Sequence, residues 1–240
     1  MIERVNPEWL HMLGLRAPAM RKARARDAGM DVDAYLENAE RNVRCWVEGS
    51  PIRIRLGPES LASYLRTGRY EVMATTGASS GDLKTVETRH AVEEQILGIA
   101  LNAPASSRPI SGYLRGSDET GAVTRYGPIV LELGEHVRSR AWFLLGDLVD
   151  TPQLGGGQVL APRPLLKPTI EAASGRYDVA SAASLADACG PHRYAEVLIF
   201  DGLSPTDVVS VTYTERPPTQ ELGELVADAG WALKPPEQVV

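Results

Sequence analysis

Residues 52–56 read Ile-Arg-Ile-Arg-Leu, closed off by Pro51 before them and Gly57-Pro58 after. Such strict alternation marks a β-strand, because successive side chains leave the pleated backbone on opposite faces. Ile52, Ile54 and Leu56 require a core, so this strand must belong to a sheet with a buried side. Its other side carries the guanidinium groups of Arg53 and Arg55 along one line. Any fold of this chain has to bury the first set and supply the second with counter-charge, ligand or water.

Other segments supply the rest of a sheet and its cover. Ile110–Leu114, Ile129–Leu133, Arg140–Leu145, Ala195–Phe200 and Val208–Tyr213 read as strands between turns that contain Gly or Asp, and residues 70–73 can add another. Helical spacing recurs at Val32, Tyr35, Leu36, Ala39 and Val43 behind a cap at Asp31 or Asp33. It returns over residues 59–65, stopped at Gly68, over 83–97, ended by Gly98, over 180–188, and at Leu222, Leu225, Val226 and Ala229. The 22 glycines and 17 prolines argue for many turns and against a helical bundle. Gly155-Gly156-Gly157 and the prolines from Pro162 make 152–168 a flexible loop or lid. The expected organisation is α+β: an N-terminal helical segment over 1–50, a core over 51–215, and a C-terminal helix and tail over 216–240.

Composition narrows the function classes. An apolar share of 43% fits a globular chain, and no run approaches about 18 apolar residues, so no membrane partner is expected. The N-terminus lacks the basic start and apolar stretch of an export signal, which leads to the expectation of a cytoplasmic protein. Cys45 and Cys189 lie far apart and read as two buried thiols. The four histidines form neither HxxxH nor HExxH, so no metal is expected. The net charge of −6 argues against bulk nucleic-acid binding. Arg21, Lys22, Arg24 and Arg26 do concentrate base locally, which reads as a solvated helix face or a local phosphate grip.

Three features then follow one another along the chain: the arginine-bearing strand with its short helix, the hydroxyl-rich loop Thr75 to Gly81, and a late strand in which Glu196 precedes an apolar run. In this order they resemble mono-ADP-ribosyltransferase-like domains. The stretches LRTGRYEVMATTGASSG, RHAVEEQILGIALNAPASSRPISGYL, RYGPIVLEL and YAEVLIFDGLS resemble a bacterial, partly phage-associated group of them, over roughly residues 50–215. The resemblance implies a mixed or antiparallel two-sheet core with a central cleft, and NAD as the substrate, without a metal. It implies that Glu196 is the catalytic acid, stabilising an oxocarbenium-like transition state. It places the NAD pyrophosphate on Arg55, with Arg53 second, and a hydroxyl brace at either Thr75-Thr76 or Ser79-Ser80. Tyr194 borders the cofactor and stands where arginine-modifying members carry Glu and several others Gln. That departure points to another acceptor, or to NAD hydrolysis. Ser111 stands where the group carries an aromatic residue. The alternative is a non-catalytic protein-interaction domain of phage or toxin-system origin on the same scaffold.

Overall fold

The computed structural model describes residues 19, 22–70, 86–116, 123–146, 148, 158–160, 178–189, 193–214 and 217–235, with Val86 and 158–160 described by their backbone alone. Its strands are β1 (Ile52–Leu56), β2 (Ile110–Leu114), β3 (Ile129–Leu133), β4 (Ala141–Leu145), β5 (Gln158–Leu160), β6 (Ala195–Ile199), β7 (Val208–Tyr213) and β8 (Ala232–Lys234). The helices are α1 (Val32–Gly49), α2 (Pro58–Thr67), α3 (Val86–Leu97), the single turn α4 (Leu185–Ala188) and α5 (Gln220–Asp228).

All eight strands join one sheet in the order β5-β4-β6-β2-β1-β3-β7-β8. Every pairing is antiparallel except β7 with β8. The architecture is therefore α+β with a mostly antiparallel sheet. Among the described residues one sheet stands where a pair was expected. Its cause is plain in the pairing: β1 is bonded along both edges, to β2 and to β3, so the backbone ladder continues without a gap. Two strands stand where none was expected. β5 lies inside the segment read as a loop or lid, and β8 carries the sheet into the tail.

One face of the sheet is apolar and covered by helices. Ile52, Ile54 and Leu56 pack there with Leu131, Phe143, Val197 and Val211 beneath Tyr35, Ala39 and Val43 of α1, Leu61 and Tyr64 of α2, and Leu222 and Val226 of α5. Asp31 starts α1 by accepting the Ala34 amide at 2.9 Å. No basic residue occupies the last turn of α1. Arg138 supplies the charge from outside by donating to the carbonyls of Val47 and Ser50. Cys189 is buried, and burial pushes its thiol up to about 12. Cys45, expected to be buried too, is exposed. The buried stripe of α1 runs through Ala39, Val43 and Val47, and a residue two beyond Val43 turns about 200° away from it.

The opposite face is shared. Over β4 and β6, α3 lays Val92, Ile96 and Leu97 on Trp142, Leu144 and Leu198. Across β1, β3 and β7 that face carries Arg53, Arg55, Glu132, Ser210 and Thr212. Arg53 and Arg55 are buried with the rest of β1. Both sides of β1 are thus covered.

The turn before β7 is held by Asp207. Its Oδ1 meets His136 Nε2 at 2.8 Å, while Oδ2 accepts from Arg140 at 2.6 Å and from the Ser204 amide at 2.7 Å. Burial opposes the charge of Asp207, but the Ser204 amide, His136 and Arg140 outweigh it and hold the carboxyl below its usual range. A carboxyl that titrates lower in the folded chain than in the unfolded one binds fewer protons when folded. Its stabilisation is complete above about pH 4–5 and is lost below it, as the pH falls from the ordinary carboxyl range through the lower pKa of the folded chain. Urea unfolding followed from neutral pH into acid should show the midpoint falling. Asp207→Asn should be less stable at neutral pH and show a shallower acid decline.

Candidate functional site

The alternation in β6 places Ala195, Val197 and Ile199 in the apolar core and turns Glu196 to the shared face. Neighbouring strands build a cross-sheet row around it. Leu144 of β4 and Tyr113 of β2 flank Glu196, Arg53 of β1 lies beyond Tyr113, and Glu132 of β3 and Ser210 of β7 follow. Glu196 and Arg53 are separated by β2 alone, which puts their backbones about 10 Å apart. Tyr194 packs with Tyr113 and Val123 beside this row.

Glu196 is buried, yet both oxygens of its carboxylate are engaged. Oε2 accepts from the Leu148 amide at 2.6 Å. Oε1 accepts from the Ser111 hydroxyl at 2.9 Å and from Nη1 and Nη2 of Arg89, each at 3.2 Å. Arg89 Nη2 also donates to Ser111 Oγ at 2.7 Å, and its Nε donates to Glu93 at 2.9 Å. Glu93 is met from its far side by Arg108 Nη1 at 2.6 Å. Arg108 spends its Nη2 on the carbonyls of Ala100 and Leu101, at 3.1 and 2.8 Å. The result is a chain of alternating sign, Glu196–Arg89–Glu93–Arg108. Its side chains are 5%, 13%, 3% and 2% exposed, so each charge relies on its neighbours rather than on water. Ser111, unlike the four charged residues, is exposed.

A second group lies further along the sheet. Arg53 Nη2 and Lys234 Nζ each meet Glu132, at 3.1 Å, on its two oxygens. Burial acts against the Glu132 charge, and Lys234 and Arg53 together hold its carboxyl below the usual range. Arg55 donates from Nη1 to the Gly127 carbonyl at 3.2 Å. Among the described residues, Arg53, Arg55 and Lys234 thus gather three cationic groups around Glu132 and the Gly127 carbonyl.

Of the residues singled out in the sequence, Glu196, Tyr194, Arg53 and Arg55 come to the same face. Arg53 stands on the row of Glu196, and Arg55 lies two residues along the strand. Thr75, Thr76, Ser79 and Ser80 lie outside the described residues, as does the 152–168 segment apart from Gln158–Leu160. Sequence reasoning missed Arg89, Glu93, Arg108 and the role of Ser111. A signal for the first pair was present, since Arg89 and Glu93 stand one helical turn apart. Arg108 and Ser111 reach the site only through tertiary pairing, which no local pattern reveals.

Among the described residues no group of His, Cys, Asp and Glu gathers as a metal cage, and no helix is long and apolar enough to cross a membrane. No family model matches the chain, and no curated protein matches it. The chemistry of the face itself is a fixed carboxylate at one end and a set of guanidinium and ammonium groups at the other.

Breaking the ion chain at its inner end tests its structural weight. Removing one partner of a buried pair strands the other charge. Arg108→Ala should therefore lose about 3–5 kcal/mol in urea unfolding. Arg66→Ala, at an ion pair with both partners exposed, should lose about 1 kcal/mol or less.

Proposed function

We propose that this face binds NAD and cleaves its nicotinamide–ribose bond, passing ADP-ribose to an acceptor or to water. One observation carries the reading: a hydroxyl-braced carboxylate, Glu196 with Ser111, stands on the same sheet face as Arg53 and Arg55, one strand removed. The separation of about 10 Å suits a ligand whose ribose lies at one end and whose pyrophosphate lies at the other. The guanidinium groups of Arg53 and Arg55 and the ammonium group of Lys234 suit the anionic part. The carboxylate favours the cationic part.

In this reading the bond between C1′ of the ribose and the nicotinamide nitrogen breaks, and its electron pair leaves with nicotinamide. Positive charge then develops at C1′ and the ring oxygen. Glu196 stabilises that charge, and a buried, oriented carboxylate does so without having to reorganise. The acceptor or a water closes on C1′ and loses its proton. Ser111 supplies the brace that the resemblance sought among Thr75, Thr76, Ser79 and Ser80, and it acts as a positioning residue through Glu196. Arg53, being on the row of the acid, becomes the nearer pyrophosphate contact and Arg55 the outer one, the reverse of the order implied by the resemblance.

Nicotinamide release from NAD tests this assignment. Glu196→Gln should abolish release while retaining the cooperative unfolding of the parent, and undiminished turnover in that variant would overturn it. Ser111→Ala should lower kcat about ten- to a hundredfold, the worth of one hydrogen bond to a charged group, with KM for NAD unchanged. A purely structural role for Ser111 would move both constants or neither.

A further inference from the structure

Among the described residues, the supports of Glu196 are of two kinds. Ser111 and the Leu148 amide orient the carboxylate and leave its charge intact. Arg89 does something else. Its guanidinium brings a full positive charge to 3.2 Å from Oε1, the same oxygen that Ser111 holds. A carboxylate so paired presents little field to a cationic sugar, because the two charges nearly cancel at any distance beyond their own separation. Arg89 thus occupies Glu196 with the sign of charge that the reaction would place there.

Arg89 also has a second partner close at hand. Its Nε donates to Glu93, one turn along the same helix, and Glu93 is pinned by the buried Arg108. A guanidinium that lets go of Glu196 keeps Glu93 and is not left as a stranded charge. Position favours such a movement. Arg89 lies near the start of α3, and the apolar residues that anchor the helix, Val92, Ile96 and Leu97, all follow it. Its side chain is the most exposed of the four in the chain, and it bonds Ser111 at the solvent-facing edge.

We propose that Arg89 is an internal latch: in this state it neutralises Glu196, and the acid becomes available when Arg89 swings away and stays paired with Glu93. The latch rests on the reading of Glu196 as the catalytic acid. After release, Ser111 and the Leu148 amide still hold the carboxylate in place, so the latched and open arrangements share one framework.

Two measurements on the full chain test it together. The first is nicotinamide release from NAD. The second is the rate at which Glu196 is coupled to glycinamide by a water-soluble carbodiimide, mapped by mass spectrometry and independent of NAD. Arg89→Gln keeps a hydrogen-bonding side chain and removes the charge. It should raise both rates about tenfold or more, a small part of what a neighbouring unit charge is worth inside a protein. Arg89→Lys, whose point charge serves Glu196 and Glu93 less well at once, should fall between wild type and Arg89→Gln, and it carries the comparison if the Gln variant does not fold. Faster coupling with no nicotinamide release from any form, wild type included, would uphold the latch and overturn the NAD reading. Unchanged coupling overturns the latch. So does slower release from the variants of an active wild type, which would make Arg89 a positioning residue.

Discussion

Helix α3 is held to the sheet by charges as well as by oil. Its apolar residues cover Trp142 and Leu198, but the ion chain from Glu196 to Arg108 sets where along the sheet it rests. Desolvating four charged groups is costly, and the cost is offset only when each finds a partner at close range. Sliding α3 by one residue would turn Arg89 and Glu93 by about 100° and break the chain. Apolar contacts tolerate sliding far better, because they are not directional. The buried charges therefore give the helix its register, whatever they contribute to net stability.

The two faces of the sheet divide the labour of the fold. The apolar face holds the larger core and meets α1, α2 and α5, while Trp142, Phe200, Leu144 and Ile96 pack together on the other side. The other face would be an ordinary second core if Glu196, Arg53, Arg55 and Glu132 were aliphatic. Instead its rows alternate hydroxyl, aromatic and charged groups within a largely buried setting. Such an arrangement is expensive to maintain, and sites that depart from local rules in this way are where function is usually found.

Much of the scaffold was legible in the chain. The Ile-Arg-Ile-Arg-Leu alternation placed β1, and apolar runs between Gly- or Asp-containing turns placed β2, β3, β4, β6 and β7, because period and breakers are local properties. The cap at Asp31 and the left-handed residue Gly68 after α2 were equally local. Less visible were β5 and β8, three-residue edge strands too short to show a period. The number of sheets was hidden too, because it depends on which strand edges meet. At the site, Glu196 and the two arginines could be named from their strands. Arg89 could not be joined to Glu196, since 107 residues separate them and only the docking of α3 brings them together.

The alternation in β6 has a bearing on which changes this chain can absorb. Ala195, Val197 and Ile199 face the core, and Glu196 and Leu198 face the other way. Side chains in a strand have a period of two, so adding one residue ahead of Ala195 while keeping the hydrogen-bond ladder would exchange the two sets. The carboxylate would then lie in the apolar core, away from Arg89 and Ser111, and alanine, valine and isoleucine would meet the polar row. A substitution in this strand alters one face at one point, whereas a shift of a single residue alters both faces along its length. The spacing that leads into β6 is thus as much a part of the site as the glutamate itself.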